Sequence, residues 1–297
     1  FSNQLTSLSV VSPVLLELRC YENQLTSLDI SQCTALNGLD CHMNLLTNLV
    51  TTNAPLGWIN CENNQLTSLD ISQNINLVYL DCAYNLLTSI DVSGAINLEF
   101  INCSSNQLTS LNISQNVLLN ELRCGSNQLT SLNLSQNINL VNLNCSINQL
   151  TTLDLSQNSL LQTINCSSNQ LNNINVNQNS NLETLLCGVN QLSVLDVSQN
   201  LQLKNLQCNN NQLTSLNVSQ NSLLFLLICR NNQLTQLDVS NNPGLLSLIC
   251  HTNQLSTLDV STNTLLTELF CSNNQLTSLN VQNGNNTNFS LYNSQTN

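Results

Sequence analysis

Fourteen cysteines, two histidines and sixteen acidic residues are the groups in this 297-residue chain that could bind metal or move protons. Thirteen of the cysteines form a series: 20, 41, 61, 82, 103, 124, 145, 166, 187, 208, 229, 250 and 271. Each step is 21 residues except the 20 between Cys41 and Cys61. A zinc site needs ligands gathered in tetrahedral geometry, and a line of thiols set among leucines does not offer that. Parallel neighbours about 4.8 Å apart also miss the ~3.8 Å Cβ separation of a disulfide. The series reads as free thiols acting as small buried hydrophobes. Cys33 stands outside it, where Asn74, Asn116 and Asn137 stand in other units, and is expected to be exposed and oxidisable. His42 and His251 lie about ten repeats apart, roughly 48 Å at strand spacing, so they cannot share a site. With no G-x-S-x-G, H-E-x-x-H or phosphate-binding glycine loop, the expectation is no catalytic residue, no metal and no cofactor.

The elements that position these groups follow from the repeat. Three residues after each serial cysteine stands an asparagine, from Asn23 to Asn274. A representative unit, residues 119–137, reads LNELRCGSNQLTSLNLSQN. Leu122 and Cys124 are two apart and face one side of a short strand, with Glu121, Arg123 and Gly125 on the other. Leu129, Leu132 and Leu134 must return inward. A unit this short leaves no room for a normal helix, and it cannot bury its leucines alone; stacked units can. The asparagine column is expected to satisfy backbone groups freed where each strand turns away. A second Asp/Asn column on the return segment (Asp29, Asp70, Asp91, Asn112, Asn133, Asp154, Asn175, Asp196, Asn217, Asp238, Asp259, Asn280) is expected to cap a backbone N–H two residues on. Two units, at 9–12 and 50–53, lack that position; both read as one residue short, with a tightened outer turn.

The pattern L-x-x-L-x-C-x-x-N-x-L is the leucine-rich repeat signature with cysteine at the third leucine position. It resembles the cysteine-ladder, internalin J-type repeats of bacterial surface proteins, and its N-Q-L-T-S-L-D-V-S-Q-N wording resembles secreted Bacteroidetes leucine-rich repeat proteins. The resemblance implies a leucine-rich repeat right-handed solenoid (horseshoe), mainly β. It would have a parallel inner sheet with one short strand per 21-residue repeat, extended or tight-turn return segments, and little or no α-helix. Residues 1–283 read as a single solenoid of about 13–14 repeats starting mid-repeat, and 284–297 as an irregular C-terminal segment, the start of a cap or linker. The family further implies a secreted or cell-surface recognition and adhesion module, extracellular or on a bacterial surface. No signal peptide or anchor is visible in this chain, so it reads as a processed or truncated piece.

Composition sharpens this. Charged residues are 7% of the chain and the net charge is −12, the wrong sign for a phosphate partner, so no nucleic acid is expected. No apolar run reaches membrane-spanning length, so no membrane insertion is expected. Recognition should sit where the repeat stops dictating identity, on the outward strand positions. There Trp58, Tyr79 and Phe100 fall at one position of three successive units, beside Tyr21, Asp40, His42, Glu62 and Asp81. Aromatics are 3% of the chain, and such rows suit protein hot spots or sugar stacking. A second, apolar patch comprises Leu226, Ile228, Arg230, Ile249, His251 and Phe270. Partners are thus expected to be a protein or glycan on a cell surface; the alternative is a structural spacer or self-associating, fibre-forming repeat with no discrete ligand, associating through uncapped ends.

Overall fold

The computed structural model describes residues 3–284 and the backbone of Ser290 and Leu291. The chain comprises two compact units, Phe1–Leu150 and Thr151–Asn297, built from the same turn. Among the described residues there is no helix, and none is long and apolar enough to cross a membrane.

In the first unit the strands Glu17–Arg19, Gly38–Asp40, Trp58–Asn60, Tyr79–Asp81, Phe100–Asn102, Glu121–Arg123 and Asn142–Asn144 pair in parallel, each with the next. In the second, Thr163–Asn165, Thr184–Leu186, Asn205–Gln207, Leu226–Ile228, Ser247–Ile249 and Glu268–Phe270 do the same. Every strand is three residues long, because only the central residue must face inward before the chain turns. The register is the sequence period itself, as in Leu185↔Leu206. Within the segment expected to be irregular, Ser290–Leu291 adds a parallel strand to Glu268–Phe270; residues 285–289 and 292–297 lie outside the described residues.

The core is the leucine and cysteine set. Leu122, Cys124, Leu129 and Leu134 are at most 1% exposed, and the same positions are buried along both units. The cysteines are free and, Cys271 aside, buried. Burial pushes ladder thiols up, Cys166 to about 12, so these are not thiolates at neutral pH. Cys33 corrects the expectation of exposure: it is fully buried, because its outer-turn column points inward.

The asparagine ladder is as expected, and more complete. Asn127 accepts from the Leu108 N–H of the preceding turn at 2.9 Å and donates to the carbonyls of Cys103 and Cys124 at 3.0 and 3.1 Å. It thereby ties each strand end to its neighbour. The residue before it adopts left-handed φ in every turn, from Glu22 (53°) to Asn273 (51°). The Asp/Asn column caps as expected: Asp29 and Asp70 accept from the N–H of Ser31 and Ser72 at 2.8 and 3.0 Å, and hydrogen bonding by these serines, side chain first at Asp29 and N–H first at Asp70, holds both carboxyls below the usual range. The return segments are mostly irregular, with small parallel pairs at Ser27–Asp29 with Asn48–Val50 and at Thr257–Asp259 with Ser278–Asn280. The short unit is tightened in its outer turn: Leu56 N–H donates to Ala54 O at 2.9 Å, where the next turn uses Leu77 to Asn74, one residue longer.

Candidate functional site

All the candidate residues of the aromatic face lie on the outward side of the first unit's sheet. Strand register places Trp58 opposite Tyr79 and Tyr79 opposite Phe100. The three rings do not stack as one row. Tyr79 and Phe100 stack nearly parallel, 4° apart with centroids 4.4 Å apart, near the ~4.8 Å strand spacing that sets them. Trp58 instead lies over Gly38, where a Cβ would collide with the indole. It is drawn toward Arg19, whose guanidinium stands 5.8 Å from the indole centroid. Arg123 covers Phe100 in the same way at 5.4 Å.

Both arginines are held by a carboxylate two residues earlier on their own strand: Arg19 by Glu17 at 3.1 Å and Arg123 Nε by Glu121 at 2.6 Å. Residues i and i+2 share a face, so each E-L-R strand presents a paired guanidinium beside a neighbouring ring. Sequence reading placed Arg123 on the outward face without linking it to the rings; the signal was E-L-R beside the Phe100 strand and, at Arg19, E-L-R one glycine-bearing strand away from Trp58.

Tyr21 stacks on His42 with centroids 4.6 Å apart, and His42 Nδ1 lies 2.6 Å from Asp40 Oδ1. With Asp40 accepting, Nδ1 carries the proton of this bond, and in the neutral ring Nε2 is then the acceptor. Asn60 Nδ2 lies 3.3 Å from His42 Nδ1.

Asp81 is more enclosed than an outward strand position suggests, 7% exposed. Its oxygens accept from Ala83 N–H at 3.1 Å and Asn102 Nδ2 at 3.0 Å. Burial raises its pKa, against the lowering by those bonds. Glu62 is raised as well, by burial first and then by the charge of Asp81. No lysine or arginine among the described residues forms an ion pair with Glu62 or Asp81.

The second patch is a half-buried column, Ile228↔Ile249↔Phe270, with Leu226 on the same sheet face. Arg230 and His251 flank it, both half-buried. Burial, with Arg230 nearby, lowers the His251 pKa, and its Nδ1 meets Thr252 Oγ1 at 3.0 Å. Among the described residues, no group of three or more His, Cys, Asp or Glu is placed to hold a metal ion.

No protein-family model matches the chain, and no curated protein does. Solved structures do. The chain is similar to the functional domain of InlJ from Listeria monocytogenes, described as including a cysteine ladder, at 38% identity and TM-score 0.76. The match covers 88% of this chain and 63% of that one, so the chain spans less than two thirds of the InlJ structure. A Leptospira interrogans leucine-rich repeat protein is 27% identical with TM-score 0.74, over 89% of this chain and 79% of that one. The L. monocytogenes internalin InlF superposes with TM-score 0.83 at 22% identity, over 95% of this chain and 88% of that one, a likeness of fold. The 21-residue turn, its buried cysteine column and these likenesses together show a leucine-rich repeat fold with a cysteine ladder, similar to that of the InlJ domain.

Proposed function

We propose that the chain is a non-catalytic recognition module, secreted or displayed on a bacterial surface, that binds a protein through the outward strand face of its first unit. The observation that carries this reading is the stacked, partly exposed Tyr79–Phe100 pair flanked by guanidinium and carboxylate groups. Rigid aromatics that lose little side-chain entropy on contact, ringed by charge, are the composition of interface hot spots. The sheet that holds them is fixed at the C-terminal end of each strand by the asparagine ladder, so the face is preorganised. The likeness to InlJ supports the same reading.

The test compares the immobilised chain with its W58A/Y79A variant. Both are presented with solubilised surface proteins of eukaryotic cells and, in parallel, with a glycan array. The module should retain a protein that the variant loses by about tenfold or more, as expected for hot-spot truncation, with its circular dichroism spectrum unchanged. Equal retention by both would overturn the reading, and binding confined to the array would move the partner class to glycans.

A further inference from the structure

The first unit's outward face repeats one arrangement twice: an aromatic ring, a guanidinium over it, and a carboxylate holding the guanidinium. Trp58, Arg19 and Glu17 form one instance, and Phe100, Arg123 and Glu121 the other. Between them lies the rung that has rings and carboxylates without a basic group of its own. Tyr79 stacks on Phe100 with one face. Its other face is turned toward the rung of Trp58, whose indole lies over Gly38 instead. Tyr79 is 36% exposed. The enclosed Asp81 stands two residues on from Tyr79 on the same strand, and Glu62 lies opposite the next outward position, Ala83; both carboxylates act on the Tyr79 hydroxyl.

We propose that this slot takes an arginine side chain of the protein partner, its guanidinium lying against the free face of Tyr79 and pairing with the Glu62 carboxylate, in the field of Asp81. The proposal rests on the recognition role assigned above and names the partner's chemistry. Three points carry it. Glu62 and Asp81 are two like charges, partly or wholly withdrawn from water, and no lysine or arginine among the described residues forms an ion pair with either, although Arg123 acts on Asp81 and His42 on both. Burial raises both carboxyls, and the charge of Asp81 raises Glu62 further, a strain that a bound cation relieves. The flanking rungs show that these rings accept guanidinium at 5.4–5.8 Å. Arginine is favoured over lysine because a planar fork can both stack on a ring and bond a carboxylate bidentately, whereas an ammonium does one at a time. A general attraction to the acidic chain is a different matter, since most of its other acids are exposed turn caps or already paired.

Trp58 is the one tryptophan in the chain, so its emission reports on the slot directly. The probes are acetylated, amidated Gly-Arg-Arg-Gly and its lysine and citrulline counterparts, titrated into the full chain. A saturable emission change is expected with arginine, at least threefold weaker with lysine and absent with citrulline. Glu62→Gln should weaken the arginine peptide at least fivefold, whereas Asp70→Asn, which removes one charge from an exposed turn of the same unit, should leave it within twofold. Tyr79→Leu should erase the preference for arginine over lysine. Equal losses from Glu62→Gln and Asp70→Asn, or no discrimination among the three peptides, would overturn the proposal. If those peptides fail while W58A/Y79A still abolishes protein retention, the recognition face stands and only the arginine assignment falls.

Discussion

Ile147 and Val189 each hold left-handed backbone, φ 53° and 56°, at the position before the ladder asparagine where other turns place Asn63, Asn210, Asn231 or Asn273. A β-branched side chain is strained there, whereas asparagine enters this region readily because its short amide can bond locally. Both side chains are about half exposed, so little packing is lost on replacement. Ile147→Asn and Val189→Asn should each stabilise the protein by about 1 kcal/mol in urea unfolding; a loss at both would show that the backbone carries no such strain. Glu62 makes the opposite kind of local error, a charge kept where the fold disfavours it. Its folded pKa is raised above the ordinary glutamate value by burial and then by the charge of Asp81, so at neutral pH the ionised group costs stability. That cost disappears as pH falls through the raised value, since the folded state takes up the proton first. Glu62→Gln should therefore raise Tm modestly at pH 7–8, a few tenths of a kcal/mol for a group this exposed. The gain should shrink toward zero on acidification to about pH 4–5. A gain independent of pH would rule out the electrostatic origin.

The turn as an element was largely legible in the sequence, because its inward leucines, its cysteine and its first asparagine are each fixed by one physical job. The second asparagine column was not read as core, because asparagine holds most of its positions and the apolar exceptions, Cys33, Ala54 and Ala95, are few. Asn116, Asn179, Asn200, Asn221, Asn242 and Asn263 are fully buried and donate to carbonyls of the preceding turn, yet their Oδ1 atoms meet no donor. Cys33, Ala54 and Ala95 fill the same column and are buried for the same reason. The aromatic face was legible by position only: register put three rings on neighbouring strands, but it took Gly38 to show which way Trp58 leans, and the enclosure of Asp81 depends on Ala83 and Asn102 around it. One turn shows how the unmet acceptors can be met. Thr51, where other turns place a buried aliphatic residue, shares its one hydroxyl proton between Asp70 O at 2.8 Å and Asn74 Oδ1 at 3.0 Å, and Asn74 is absent from the group of unmet acceptors. The equivalent Val218 precedes Asn242, which already donates to its carbonyl at 3.0 Å. Val218→Thr should thus be neutral or stabilising, although burying an unpaired hydroxyl ordinarily costs ~1–3 kcal/mol. In an Asn242→Ala background the same change should cost that full amount, and a double-mutant cycle with no coupling would refute the pairing. By contrast, Asn127→Ala orphans the Leu108 N–H and two carbonyls together and should cost ~2–4 kcal/mol.

At the scale of the whole molecule, a repeat protein is a sum of turns and of contacts between adjacent turns, so its stability depends on keeping every turn in phase. The chain already contains the natural experiment. Between Cys41 and Cys61 one residue is missing, yet Gly38 still pairs with Trp58 and Leu39 with Ile59, and Leu56 and Ile59 remain fully buried. The deficit is absorbed between Ala54 and Leu56, where the turn closes over one residue fewer. Slack therefore resides in the outer turn and not in the strand. Two single-residue deletions in the second unit separate these places. Removing Leu223, which is 46% exposed, leaves Asn221-Ser222-Leu224 in the arrangement of Ala54-Pro55-Leu56. Such a variant should fold with a small loss, below about 1 kcal/mol, because loop length alone is a weak lever on stability. Removing Leu226, three positions on, forces either Leu224 or Leu227 out of phase, and both are fully buried. A period-two strand offers no way to recover the lost side chain, so the cost should approach that of emptying a core leucine site, ~3 kcal/mol or more. Urea unfolding of the two deletions at matched concentration decides the matter. Comparable losses would mean that the outer turn is as tightly specified as the strand, and that the 20-residue turn survives for reasons peculiar to its own residues.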